Sequence, residues 1–221
     1  MPTQRALYKS TWDKLAQTEE SACRYVADKD TFSEMADSAA RTRDWLRETV
    51  GVLSTDTVLE IGCGVGRVGN VLAPLCREWI GTDASANMLA IARRNLAHPN
   101  VRFVELSGYD LAPVPDDSVD SVYCTVVFPH LSEWDRFNYV TEGYRVLRPK
   151  GRVFIDNVNL CSDAGWAIFE DHRKIPPQER PPHIAMTSTP AELTTYLSRA
   201  GFRDVSSRSV LHWVQAYATK P

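Results

Sequence analysis

Short apolar runs alternate along this chain with stretches whose apolar residues recur every three or four positions. Val58, Leu59 and Ile61 make the first run, the pattern of a strand buried on both faces. Similar runs lie at Glu78–Thr82, Val101–Glu105, Val119–Cys124 and Arg152–Val158. Helical spacing fills the gaps. Met35, Ala39, Thr42, Leu46 and Val50 precede the first strand, with Gly51 as the stop; Arg67 to Cys76 and Ser85 to Leu96 follow later strands. Trp134, Phe137, Val140, Tyr144 and Leu147 form a stripe before the fifth strand. Such alternation predicts a mostly parallel sheet with helices on both faces. The C-terminal end breaks it. Thr189-Pro-Ala-Glu192 has the form of a capping box with proline at the first helical position, and Gly201 closes that helix. Arg203–Ser207 and Leu211–Ala218 then read as two strands with no helix between them, an antiparallel hairpin. The expectation is an α/β fold with a seven-stranded sheet.

The first strand runs into three glycines at alternate positions, Gly62, Gly64 and Gly66. Strand, glycine loop and helix together bring backbone N–H groups close to a ligand. Glu60 stands just before the loop. Asp83 stands at the tip of the second strand, where a carboxylate accepts hydrogen bonds from both hydroxyls of a ribose. Gly64-Val-Gly66-Arg-Val-Gly69 matches the G-x-G-x-x-G dinucleotide fingerprint by letter. Glu60 argues against that reading, because its carboxylate would face a pyrophosphate. It suits a ligand with a positive centre and no phosphate. Glu60-Ile-Gly62-Cys-Gly64-Val-Gly66 resembles the first motif of the class I S-adenosylmethionine-dependent methyltransferases. Gly81-Thr-Asp83-Ala-Ser85-Ala-Asn-Met88-Leu89 resembles their second-strand motif. Tyr144-Arg-Val-Leu-Arg-Pro-Lys-Gly151 is similar to a later family turn, with Lys150 in place of its first glycine, so Gly151 is expected to make the turn. The resemblance covers roughly residues 35 to 218.

The resemblance implies a Rossmann-like sheet and methyl transfer from S-adenosylmethionine to an oxygen or nitrogen of a small-molecule acceptor. It carries cofactor contacts onto Glu60, Gly62, Cys63, Gly64, Gly66, Asp83, Ala84, Met88, Ser107, Gly108, Tyr109 and Thr125. The family has an acid near Leu106-Ser107 that reaches the adenine amino group; here Ser107, or the backbone of Gly108 and Tyr109, takes that place. The protein's share of the chemistry is alignment and, for a hydroxyl nucleophile, proton removal. His130, just past the fourth strand, is the candidate base, with a rate expected to rise through the ordinary histidine range; the other reading is that it orders its loop or caps the helix at Ser132. Asp156-Asn157 resembles the magnesium-binding pair of catechol-type O-methyltransferases. Those enzymes need a further acid at the end of strand four, where this chain has Thr125, so no metal is expected. Two other readings stay open: a non-catalytic cofactor-binding regulatory protein, and a peptide or protein N-methyltransferase.

Composition adds limits. With 221 residues, 43% of them hydrophobic, the chain reads as a single domain with a real core. A net charge of −3 argues against a nucleic-acid-coating surface. No apolar run reaches the length of a membrane span, and no signal peptide is visible behind the N-terminus. The scattered cysteines contain no C-x-x-C pair, which points to reduced thiols and a cytoplasmic protein, monomer or homodimer. Residues 1–34 are expected as a helical lid. Residues 159–189, proline-rich and without clear periodicity, are expected as a substrate-side insertion.

Overall fold

The structure, a computed structural model, describes residues 4–221, with side chains from Leu7 onward; residues 1–3 of the expected lid lie outside the described residues. Helices α1 (Gln4–Leu15), α2 (Glu19–Ala27) and α3 (Ala36–Thr49) precede β1 (Thr57–Ile61). Then come α4 (Gly69–Leu72), β2 (Glu78–Asp83), α5 (Ala86–Asn95), β3 (Val101–Glu105), β4 (Val119–Cys124), α6 (Glu133–Val146) and β5 (Leu147–Asn159). The chain closes with α7 (Asp163–Arg173), β6 (Thr187–Ser188), α8 (Pro190–Arg199), β7 (Arg203–Val210) and β8 (Trp213–Thr219). The sheet order is β3-β2-β1-β4-β5-β8-β7, with β6 paired beside the end of β5. β1 to β5 are parallel, and β8 runs antiparallel to both β5 and β7. The expected seven strands and C-terminal hairpin are all present, and β6 is one more.

The alternation of side chains along each strand divides the core. Val58, Trp79, Tyr123 and Phe154 face one side, against Leu46 of α3, Leu72 of α4 and Leu89 of α5. Leu59, Ile80, Val122 and Ile155 face the other, against Tyr139 and Val140 of α6 and Leu193 and Leu197 of α8. A third cluster seats the N-terminal helices: Ala16, Ala22, Cys23 and Met35 pack with Val65, Met88 and Ile91. At about 25 cal/mol per Å² of apolar surface removed from water, this packing, rather than helix propensity, holds α1 and α2 on the domain.

Two local readings need correction, and a third gains detail. The helix expected over Arg67–Cys76 is α-helical only at Gly69–Leu72; a 3₁₀ turn at Ala73–Leu75 carries Pro74, whose missing N–H cannot continue the ladder. The turn expected before the fifth strand falls inside β5, where the register to β4 shifts, and is made by Lys150 itself, at φ +67°. Gly151 has a different duty: a Cβ there would lie 2.7 Å from the Arg148 carbonyl oxygen. The insertion at 159–189 is built, not formless. Ser162 caps α7 by accepting from the Gly165 N–H at 3.1 Å, β6 pairs with Val158–Asn159 of β5, and the Met186 N–H donates to the Pro129 carbonyl at 2.6 Å. Arg136, buried on α6, ties these parts together, donating to Phe128 O at 2.9 Å, Ser188 Oγ at 2.9 Å and Glu192 at 3.1 Å.

Candidate active site

The carboxyl ends of β1, β2 and β4 open into one cavity of about 840 Å³, its mouth included. Such a crevice is where open α/β sheets bind ligands. β1 enters the glycine loop through Gly62 at φ +70°, where a Cβ would lie 2.3 Å from Val127 Cγ2. Gly64 follows at φ +53°, its would-be Cβ 3.0 Å from Val26 Cγ2 of α2. The loop thus has the conformation only glycine adopts cheaply, and Val127 and Val26 pack closely against it.

Asp83 ends β2 inside this space. Its Oδ2 accepts the Gly64 N–H and its Oδ1 the Ser85 N–H, both at 2.9 Å. Burial pushes its pKa up to about 6 against these bonds. Glu60 is 2% exposed. The Trp79 Nε1–H donates to Tyr123 Oη at 2.9 Å, and Tyr123 Oη–H donates to Glu60 Oε2 at 2.5 Å. Burial raises Glu60 to about 8. Asp156 of β5 is raised to about 7 by burial and accepts the Val126 N–H at 2.9 Å. Arg67, buried behind the glycine loop, donates to Thr42 Oγ1 at 3.2 Å; burial lowers its pKa, and Glu60 and Asp156 oppose that. One cation beside several buried acids leaves the floor suited to a ligand that brings positive charge.

The loop after β4 closes the other side. Val126 sits at φ +61°, an outlier for a β-branched residue, held there by its bond to Asp156. It turns the chain into the 3₁₀ turn Phe128–His130. His130 Nδ1 lies 2.8 Å from the His183 carbonyl oxygen. A carbonyl only accepts, so Nδ1 carries the proton and Nε2 is a bare lone pair. Burial lowers the His130 pKa to about 4. The rate is therefore expected to turn near that value instead of through the ordinary histidine range.

Above lies a roof drawn from both ends of the chain. Trp12 stands edge-on to His130 with ring centroids 5.0 Å apart, and Tyr25 edge-on to His183 at 5.3 Å. Asp13 latches α1 to the start of α5, accepting from Ser85 Oγ at 2.7 Å, while Asn87 Nδ2 donates to the Asp13 carbonyl at 3.0 Å. Tyr8 accepts the Ser132 N–H at 3.0 Å.

Of the residues expected at the site, Glu60, Gly62, Cys63, Gly64, Asp83, Ala84, Met88, Gly108, Thr125 and His130 line the cavity. Gly66, Ser107 and Tyr109 do not. Gly66, at φ +87°, shapes the loop against Leu96. Ser107 Oγ donates to Asp110 Oδ1 at 2.8 Å, and Tyr109 is 38% exposed. The sequence reading passed over Tyr8, Arg67, Leu106, Val127, Leu131 and Tyr139, which also line it. Arg67 directly follows the glycine loop, a signal that was available. Asn157 Nδ2 donates to Ser188 Oγ at 2.6 Å while Asp156 binds Val126. As consecutive residues of a strand they face opposite sides of the sheet. Among the described residues no cluster of three or more His, Cys, Asp or Glu is placed to hold a metal, and no helix is long and apolar enough to cross a membrane.

The features fit S-adenosylmethionine on this structure's own terms. Gly62 and Gly64 line the cavity where the packing leaves no room for a Cβ, an acid stands at the ribose position, and the buried Thr125 Oγ1 has no hydrogen-bond partner among the described residues. Together with the sheet order they define the class I S-adenosylmethionine-dependent methyltransferase architecture. Comparison with known proteins agrees: residues 59–155 match the family described as methyltransferase domain, and this stretch is a class I S-adenosylmethionine-dependent methyltransferase domain. A probable S-adenosylmethionine-dependent methyltransferase of Mycolicibacterium smegmatis is 34% identical over 155 residues, 70% of this chain and 55% of that protein. The ubiquinone biosynthesis O-methyltransferase of Pseudomonas savastanoi pv. phaseolicola is 26% identical over 66% of this chain and 62% of its own length. The chain spans about half the length of the first of the curated relatives it matches. The magnesium protoporphyrin IX methyltransferase of Synechocystis PCC 6803, solved with bound SAH, superposes with a TM-score of 0.71 at 16% identity, covering 99% of this chain and 100% of that one.

Proposed function

We propose that the chain transfers a methyl group from S-adenosylmethionine to an oxygen or nitrogen of a small-molecule acceptor, without a metal. The observation that carries this reading is a single cavity lined by the glycine loop, Asp83 and His130, whose Nδ1 is held by the His183 carbonyl. Bound S-adenosylmethionine supplies an electrophilic methyl on a cationic sulfur. Glu60, Asp83 and the glycine loop that Asp83 fixes hold and orient that ligand, Thr125 Oγ1 gains the partner it lacks, and His130 takes the proton of a hydroxyl acceptor. Residues 4–34 serve as the lid, with Trp12 and Tyr25 lining the cavity, and 159–189 as the acceptor-side segment that backs them through the His183 ring. The names of two relatives support a small-molecule acceptor: one acts in ubiquinone biosynthesis and the other on magnesium protoporphyrin IX. The test is incubation with a metabolite extract and methyl-labelled S-adenosylmethionine. Label is expected in a small extractable product; label only in protein would point to the peptide or protein alternative.

A further inference from the structure

We propose that the roof of this cavity is a subsite for a neutral aromatic hydroxy compound, with Trp12 and Tyr25 against its rings and its hydroxyl on Nε2 of His130. The proposal rests on the methyltransferase reading above and names the acceptor class of that same site.

Three observations meet here. First, the His130 tautomer is fixed. Nδ1 is spent on the His183 carbonyl at 2.8 Å, so the imidazole of His130 itself has a lone pair to offer and no proton. A group that donates a hydrogen bond matches it, and an ether or ketone does not. Second, charge is confined to the floor. Glu60, Arg67 and Asp83 are the acidic and basic side chains lining the cavity besides His130, all at the strand ends and glycine loop; Trp12, Tyr25 and Leu131, toward the roof, carry no charge. A carboxylate or ammonium placed there would lose hydration with no counter-charge to replace it. Third, the wall is made of rings. Trp12 contacts both His130 at 5.0 Å and His183 at 6.3 Å, and Tyr25 contacts His183 at 5.3 Å. Flat, weakly polar bodies pack against such edges and faces.

The choice of a phenol-type hydroxyl follows from the base. An imidazole whose pKa burial has brought to about 4 is too weak to draw a proton from an alkyl alcohol, while a neutral amine needs no base at the moment of attack. An aromatic hydroxyl lies between them. In the transfer, the acceptor oxygen forms the new O–C bond as the C–S bond breaks with its electron pair passing to sulfur. The hydroxyl proton goes to His130 Nε2 and from there to solvent.

The test measures binding. Protein saturated with S-adenosylhomocysteine is titrated by calorimetry with four probes: a naphthol, its methyl ether, its carboxylated derivative and the fully saturated alcohol of the same skeleton. The naphthol is expected to bind at least about tenfold more tightly than each of the others. Trp12→Leu should erase most of its advantage over the saturated alcohol. His130→Phe, which keeps a ring beside Trp12, should erase its advantage over the methyl ether. Equal affinities, a preference for the carboxylated or saturated probe, or no binding of any probe to the saturated protein would overturn the proposal. Failure to bind S-adenosylhomocysteine in the first place would instead overturn the methyltransferase reading on which it rests.

Discussion

The cavity has a floor and a roof, and they are built on opposite principles. The floor is local and built of ionisable groups. Glu60, Gly62, Gly64 and Asp83 come from two adjacent strands, fixed by parallel ladder bonds and by Asp83 reaching back to the Gly64 N–H. The roof is distant and uncharged. Trp12 and Tyr25 come from the N-terminal helices, His183 from the segment between β5 and α8, and ring contacts join them. A floor of that kind recognises one ligand by charge and fixed hydrogen bonds, while a roof of that kind is free to vary with the acceptor. The division predicts that floor and roof substitutions affect different measurements.

The largest effect is expected in turnover. His130→Ala should lower it on the order of 10²–10⁴. At saturating S-adenosylmethionine the wild-type rate should be lost as pH falls toward about 4, because protonation removes the Nε2 lone pair, a loss that His130→Ala should not show. A turnover unchanged in His130→Ala would leave alignment as the whole of the roof's contribution, and an inflection near pH 6.5 would contradict the burial of that ring.

Next in size is affinity. Asp83→Ala should weaken S-adenosylhomocysteine binding roughly ten- to several-hundredfold, since bonds to a charged group are worth about 1.5–3 kcal/mol each. It should also lower the melting temperature by several degrees, because the same carboxylate holds Gly64 and Ser85. Trp12→Ala should leave this affinity within a few-fold, at about 1.4 kcal/mol per decade. A comparable loss in both variants would erase the distinction between floor and roof.

Stability against pH gives a subtler test of the floor. Glu60 keeps its proton in the fold up to about pH 8, against an ordinary value of 4.5. Between these values the folded chain holds a proton that the unfolded chain has lost. The contribution is therefore complete below about 4.5 and is lost as pH rises through about 8. A melting series from pH 5 to pH 9 should fall more steeply for wild type than for Glu60→Gln; parallel curves would show that the carboxyl is ionised in the fold.

The smallest expected effect is none. Activity should survive chelation, since Asp156 holds the Val126 N–H and Asn157 faces Ser188. Loss in EDTA restored by magnesium would show that these two side chains re-orient to bind a cation.

What the sequence revealed divides along the same line. The floor was legible because its chemistry lies in short strings: a glycine run after an apolar strand, and an acid at the tip of the next. The parallel order followed from apolar runs separated by helical spacing. The roof was not legible as a unit, since nothing in the local spacing of Trp12, Tyr25 or His183 says that they meet. α7 escaped notice because it buries only Gly165, leaving no apolar stripe to read. Ser107 and Tyr109 were assigned to the cofactor by position, yet the turn that follows β3 directs the Ser107 hydroxyl to Asp110. Arg67 and Tyr139 were readable as helix residues, but not as cavity lining, because that depends on how α6 and the glycine loop pack over the sheet ends.

The most direct measurement is a calorimetric titration of S-adenosylhomocysteine, with NAD as the comparison ligand, into wild type and Asp83→Ala. The account predicts micromolar-range binding of the sulfur ligand to wild type, loss of roughly one to two decades in Asp83→Ala, and no heat from NAD. Intact affinity in Asp83→Ala, or binding of NAD without response to S-adenosylhomocysteine, would contradict it.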